Sequence, residues 1–279
     1  MDTTLPALFL VGSALFPSVF LSSAFLLRTW VGVRSRDVCT AVAMRITSIF
    51  HAVLASAVGW YIVINCYQDF LYARCWIVDK YLCFGLPYML YDMGAMYASF
   101  HVDLEVKHST ILSKSWTFLP FLRKEKLLLF HHLMVALVGY PLAVFYRNGK
   151  GEFFLGCMLL TELSSPFVNL RGILKKINMK NSLLYYTNNA LILIVFFLCR
   201  IFIFPVIFWV YSWDQQFSWI KVPFMIPWHC TLGCSIIVLF QCMWYYMFAR
   251  SIWRGLQRKH FDANCNGTDE NPLVGQKGH

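Results

Sequence analysis

Seven long apolar runs, separated by short polar connections, divide the chain along its length. A helix needs about 20 apolar residues to cross a hydrocarbon core of roughly 30 Å, and each run is close to that length. The pattern predicts an all-α, polytopic membrane protein with seven transmembrane helices. The predicted spans are Leu5–Leu27, Ile46–Tyr67, Tyr81–Phe100, Leu127–Tyr146, Phe153–Leu170, Leu183–Val210 and Val222–Ala249.

The basic residues indicate how these helices are oriented. Lys and Arg are concentrated after the first, third, fifth and seventh runs, whereas the other connections hold few. Because basic loops stay preferentially in the cytosol, the N-terminus is predicted to be lumenal or extracellular and the C-terminus cytosolic. The first run has its basic residues after it, at Arg28, Arg34 and Arg36, so we interpret it as a span and not as a cleaved signal peptide.

The composition is typical of a membrane protein, and the positions of the basic residues indicate which partners the positive charge can bind. Hydrophobic residues make up 58% of the chain and charged residues 14%, below the roughly 25% of soluble domains. The basic cytosolic connections account for the net charge of +10, so we expect the bilayer as a partner and no nucleic acid. These connections can also attract anionic headgroups or the phosphates of an acyl-coenzyme A.

Polar side chains inside the predicted spans mark a candidate site. A charged group at membrane depth costs about 2.5–3.5 kcal/mol even on lenient scales, so each one needs a partner or a function. In the predicted topology these side chains share one depth, in the cytosolic half of the bilayer, where several helices could assemble one site. They are His51, Asp92, His131, His132, Glu162 and Asn188.

The adjacent residues His131 and His132 lie about one turn inside the fourth predicted span. Neighbouring helical residues point about 100° apart, so one imidazole could react while the other orients it or contacts a carboxylate. Glu162 shares a helical face with Ser165 and Asn169, and a carboxylate–histidine couple suits general acid–base catalysis. The alternative is a polar pair near the interface, hydrogen-bonded to loops.

Asp92 admits two interpretations. It follows Tyr88 by one turn on the same face and could join the histidines, or it could form a salt bridge with Arg200, a cation inside the sixth predicted span. A single adjacent histidine pair offers too few ligands for a di-iron or haem site, so no metal is expected. His229 in the seventh run is expected to be structural.

The chain contains ten cysteines, most of them within spans, where a thiol is usually a small apolar filler. Cys66 and Cys75 flank the connection between the second and third runs, which is predicted to be non-cytosolic. They could form a disulfide if that compartment is oxidising, but spacing alone does not decide cysteine pairing.

Two motifs in neighbouring spans resemble the TLC-domain family, which includes ceramide synthases and the translocating-chain-associating membrane protein. They are the His131-His132 pair and the segment ELSSPFVN at Glu162–Asn169. The resemblance covers roughly residues 36–255 and implies a six-helix TLC-type domain there. An N-terminal transmembrane helix with the first cytosolic loop would occupy residues 1–35, and a disordered cytosolic tail residues 256–279.

Further segments resemble the TLC domain-containing protein 3 branch of this family. They are GKGEFFLGC at 149–157, Asn188, Cys199-Arg200 with Pro205, and Pro87-Tyr88 with Tyr91-Asp92. Members of that branch are associated with ceramide formation and the endoplasmic reticulum. The resemblance therefore implies an integral membrane protein of the endoplasmic reticulum, with the Golgi as the alternative.

The resemblance implies N-acylation of a sphingoid base, which is a long-chain amine. The acyl donor would be long-chain acyl-coenzyme A. Because acyl-coenzyme A is a substrate, no separate cofactor is needed. The implied catalytic residues are His131, His132, Glu162 and Asp92, and the implied substrate-binding residues are His51, Ser165, Asn169, Asn188 and Arg200. Ceramide synthases carry a second acid at the position of Ser165, so a mechanism that needs two acids would have to take the other from Asp92.

Two other functions stay open. A non-enzymatic lipid-binding or lipid-homeostasis protein would keep the cavity without turnover, and the loss of the second acid at Ser165 favours it. A proton-coupled transporter or receptor would use Asp92 and Arg200 as a relay, but no inverted repeat is evident. The sequence leaves a homo- or hetero-oligomer open as well.

Overall fold

The computed structural model of the protein describes residues 4–108, 114–226 and 228–268. Within these residues every regular element is helical, which confirms the all-α prediction. The side chain of His229 lies outside the described part, so its structural role stays a prediction.

The main helices are α1 (Thr4–Thr29), α2 (Arg36–Cys66), α3 (Ile77–His108), α4 (Lys114–Met134), α5 (Glu152–Leu160), α6 (Ser165–Lys176), α7 (Leu183–Phe196), α8 (Ile203–Asp214), α9 (Val222–Met225) and α10 (Trp228–Thr268). Shorter segments join them: π-helical turns at Val135–Gly139, Leu142–Tyr146 and Phe197–Phe202, and 3₁₀ turns at Thr161–Ser164 and Trp219–Lys221.

Six helical stretches in the described part are long and apolar enough to cross a membrane, which makes the chain a polytopic membrane protein. They are Thr4–Thr29, Arg36–Cys66, Thr117–Tyr146, Glu152–Lys176, Leu183–Asp214 and Thr231–Gln257. The third predicted span lies in α3, which falls outside this set although its 32 residues are long enough to cross. α3 is also the helix that carries Asp92.

Prolines explain two interruptions inside the predicted spans. Pro166 has no N–H to reach the Glu162 carbonyl, and the N–H of Ser165 donates to that carbonyl instead, which tightens the turn to 3₁₀. Pro205 likewise cannot donate to the carbonyl of the residue four positions earlier, where the helix widens into the π-turn Phe197–Phe202.

The seventh predicted span, Val222–Ala249, is wrong as one continuous helix. Ile226 is extended (φ −79°, ψ 155°) because the residue before a proline avoids the helical region, and this ends α9. α10 then begins at Trp228 and continues to Thr268, so its backbone includes the start of the predicted tail. Residues 269–279 lie outside the described part, and disorder of the tail stays a prediction.

The helices that carry the polar residues pack closely around α2 and α3. α1 lies along α3 and α2, and α2 in turn packs against α5 and α6. α2 and α5 approach at two glycines: a Cβ added to Gly59 would lie 2.8 Å from the carbonyl oxygen of Gly156. Close packing at small residues of this kind is how membrane helices associate without a hydrophobic driving force between them.

Candidate functional site

One face of α3 presents a polar and aromatic stripe to the interior of the bundle. Tyr81, Tyr88 and Asp92 are separated by seven and four residues, which places them on one face of a helix, and all three are buried. Across from them, α2 contributes Ser48 and His51, one turn apart and also buried.

Asp92 and His132 form a buried ion pair between α3 and α4. The His132 Nε2 atom lies 3.2 Å from Asp92 Oδ2, and its Nδ1 lies 2.8 Å from the carbonyl oxygen of Leu128. Because a carbonyl oxygen only accepts, Nδ1 carries a hydrogen and donates it, which leaves Nε2 facing the carboxylate. Ser48 Oγ donates to the other oxygen of Asp92 at 3.3 Å. Both nitrogens of His132 are therefore engaged.

The prediction of a salt bridge between Asp92 and Arg200 is wrong, because Arg200 pairs with Glu162. Arg200 Nη2 lies 3.4 Å from Glu162 Oε1, so the two residues meet at the same level of the bundle. The π-turn and the 3₁₀ turn carry these residues and bring their side chains together.

Two serines hold this second ion pair in place. Arg200 Nε donates to Ser164 Oγ at 2.7 Å, and Arg200 Nη2 donates to Ser165 Oγ at 2.8 Å. Ser165 Oγ in turn donates to Glu162 Oε2 at 2.6 Å. Ser165 therefore orients the carboxylate of Glu162.

The remaining histidines differ in their surroundings. His51 stacks on Tyr88 with ring centroids 3.7 Å apart, and the ring of Phe16 on α1 meets it edge-on at 5.8 Å. His131 meets the rings of His132 at 5.7 Å and Trp244 on α10 at 5.2 Å. Among the described residues these two histidines make ring contacts and no hydrogen bond, so their nitrogens are available to a ligand.

Glu162 connects the two halves of the site electrostatically. Its charge acts electrostatically on the imidazoles of His51, His131 and His132. The Glu162 side chain is 24% exposed, compared with 8% for Asp92. Glu162 is therefore the less enclosed of the two acids, and both lie inside the bundle.

Tyr81 is a member of this site that the sequence analysis missed. Its hydroxyl oxygen is buried and has no protein partner among the described residues, and the charge of Glu162 acts on it. Gly85 separates it from Tyr88: a Cβ there would lie 3.7 Å from the Tyr81 ring and 3.9 Å from His51 Nε2. The spacing of Tyr81, Tyr88 and Asp92 along one helix face was the signal that could have found it.

Asn169 and Asn188 tie helices together at the edge of the site. Asn188 Nδ2 donates to the carbonyl oxygen of Phe167 at 2.9 Å, and its Oδ1 is buried without a partner in the described part. Asn169 Nδ2 donates to the carbonyl oxygen of Ser165 at 3.0 Å, and its Oδ1 accepts from Arg45 at 3.5 Å. Their role in substrate binding stays a prediction.

A comparison with protein families identifies the chain. The family model described as the TLC domain matches residues 42–250, which is most of the chain and includes every candidate site residue. No solved structure matches this chain. The part of the chain that the structure describes contains no group of three or more His, Cys, Asp and Glu residues that could hold a metal ion. The chain therefore belongs to the TLC-domain family, which includes ceramide synthases and other lipid-related membrane proteins.

Proposed function

We propose that this protein transfers a long acyl chain from acyl-coenzyme A to the amine of a sphingoid base and so forms a ceramide-type amide. The observation that carries the proposal is the contrast between the two adjacent histidines. His132 is fixed by Asp92 and by a backbone carbonyl, whereas His131 makes no hydrogen bond within the described part and is reached by the charge of Glu162. The resemblance to the TLC domain-containing protein 3 branch supports the same chemistry.

In the proposed reaction a ring nitrogen of His131 attacks the thioester carbonyl, the C–S bond breaks, and coenzyme A leaves as a thiolate. The amine then attacks the acyl-imidazole, the bond to His131 breaks, and an amide forms. The amine proton passes through Glu162 to the thiolate, so atoms and charges balance. Splitting one displacement into two steps is the usual advantage of a covalent intermediate. In the alternative, His131 removes the amine proton while the amine attacks the thioester directly.

The surrounding residues support these roles. Asp92 holds His132 in place and would supply the second carboxylate. The serine at position 165, which orients Glu162, is therefore a weaker argument against an enzyme. Tyr81 offers a buried hydroxyl that could donate to a substrate carbonyl or hydroxyl oxygen. Arg200 and Ser165 set the orientation of Glu162.

We also propose the orientation and location that this chemistry requires. The basic connections would face the cytosol, where acyl-coenzyme A is dissolved, and the N-terminus would face the lumen of the endoplasmic reticulum or the Golgi. A glycosylation reporter fused after His279 should stay unmodified. Efficient glycosylation of that reporter would show that the orientation is the reverse. The polar side chains would then not lie in the cytosolic half of the bilayer.

The experiment that tests the function measures amide formation by purified protein given labelled acyl-coenzyme A and sphinganine. His131→Ala and Glu162→Gln should each lower the rate by about 100-fold or more, as is typical for acid–base and covalent roles. His101→Ala is a matched control, because His101 pairs with Glu105 on α3 and lies outside the site. Equal activity of wild type, His131→Ala and Glu162→Gln would contradict the proposal.

The second candidate is a lipid-binding protein without turnover. It is favoured by the fact that Glu162 with Arg200 and Asp92 with His132 satisfy each other without a substrate. In that case purified protein would retain acyl lipids but form no amide with any long-chain amine.

A further inference from the structure

Cys66 and Cys75 lie together at the end of the bundle opposite the connections that are predicted to be cytosolic. Cys66 is the last residue of α2, and Cys75 lies two residues before α3 begins at Ile77. Both are buried in one apolar cluster that also contains Ile62, Val78 and Phe153. The two ends of the connection 67–74 are therefore held in the same small volume.

The connection between the two cysteines is folded compactly. Asp69 Oδ1 accepts hydrogen bonds from the backbone N–H groups of Leu71 and Tyr72, at 3.3 and 2.9 Å. The backbone N–H of Cys75 donates to the buried carboxylate of Glu152 at the start of α5. This fixes the position of Cys75 against the helix that also packs on α2, so the approach of the two cysteines does not depend on a loose loop.

We propose that Cys66 and Cys75 form a disulfide that joins the end of α2 to the start of α3. The side chains of Cys66 and Cys75 interact with each other as thiols, within the apolar cluster that also contains Cys157. In the reaction each thiol loses a proton, the two sulfurs join, and two electrons reduce the disulfide of an oxidising thiol–disulfide exchange protein to two thiols. The proposal rests on the non-cytosolic placement of this connection, since cytosolic thiols stay reduced.

The sequence allows a direct test by peptide mapping. Trypsin cleaves after Arg45, Arg74 and Lys80, so Cys66 and Cys75 fall in separate peptides, 46–74 and 75–80, each with one cysteine. Full-length protein from its native membrane is denatured with N-ethylmaleimide present, digested without reductant and analysed by mass spectrometry. We expect a species in which peptides 46–74 and 75–80 are linked, and its loss on reduction.

Cysteine variants distinguish the Cys66–Cys75 disulfide from one that includes Cys157. Cys66→Ala and Cys75→Ala should each abolish the linked species, whereas Cys157→Ala should leave it intact. A reductant should lower the apparent melting temperature of the wild type and leave that of the Cys66→Ala/Cys75→Ala protein unchanged. N-ethylmaleimide on both thiols, or a link that includes Cys157, would overturn the proposal. Peptide mapping detects the disulfide without any substrate. An absent disulfide is therefore distinguishable from an absence of acyl transfer.

Discussion

Removal of the Asp92 carboxylate should destabilise the protein through its effect on His132. In Asp92→Ala, Nε2 of His132 would lose its partner at 3.2 Å, while Nδ1 would still donate to the Leu128 carbonyl. The imidazole would then either stay charged without a counterion or give up its proton in an enclosed site. Both side chains are less than a tenth exposed, so water cannot replace the lost partner.

The burial of the pair sets the expected loss in the free energy of unfolding. Breaking a buried pair by removing one partner costs about 3–5 kcal/mol, and loss of the imidazole proton should bring the cost to the lower end, about 3 kcal/mol. For chains of this size, 1 kcal/mol corresponds to about 2–4 °C, so the apparent Tm should fall by roughly 6–12 °C. His132→Ala should have a similar effect. The double variant should be little worse than either single one, with a coupling energy of about 2–3 kcal/mol.

The assay is thermal unfolding in detergent of the wild type, both single variants and the double variant. Asp103→Ala and Lys107→Ala provide a matched control, because that pair lies 2.6 Å apart on α3 with the lysine 64% exposed, and the second contact of Asp103, to Lys176 at 2.8 Å, cancels from the coupling energy. An exposed pair of this kind should show a coupling of no more than about 0.5 kcal/mol. If the Asp92 and His132 variants were additive, the buried ion pair would be refuted.

Three further predictions concern other parts of the bundle. Tyr81→Phe should leave Tm unchanged or raise it, since it removes an unpartnered buried hydroxyl, while kcat/KM for acyl transfer falls by about 2- to 13-fold, the value of one hydrogen bond. Gly156→Leu should lower Tm in unfolding assays, because a Cβ there would already lie 2.9 Å from Ile62 Cγ2 and overpacking costs about 1–3 kcal/mol or more. Arg171→Met should cost about 1–3 kcal/mol in the same assay, because Asn189 loses its donor at 2.8 Å, with activity per folded molecule unchanged.

The sequence was sufficient for the helical class and for most of the spans, because hydropathy and length act on each segment separately. α3 falls outside the set of helices apolar enough to cross, and its polar stripe of Tyr81, Tyr88 and Asp92 is buried in the interior, next to the candidate site. The TLC-domain family was also predicted correctly from separated motifs, whereas the branch stays a prediction.

The choice of partners within the site was beyond the sequence. Asp92 could have paired with Arg200 or with a histidine, and the outcome depends on how each helix is rotated about its axis. The π-turn and the 3₁₀ turn change that rotation near Arg200 and Glu162, and hydropathy carries no information about such local changes. Trp244, which meets His131 from α10, could not be assigned for the same reason.

The most direct test of the central claim is the release of coenzyme A from long-chain acyl-coenzyme A by protein reconstituted in lipid, with and without sphinganine. We expect the wild type to release one coenzyme A for each amide formed, and His131→Ala to bind the acyl lipid but release coenzyme A more slowly by about 100-fold or more. Acyl-coenzyme A that is bound by the wild type and stays intact in the presence of the amine would contradict that claim.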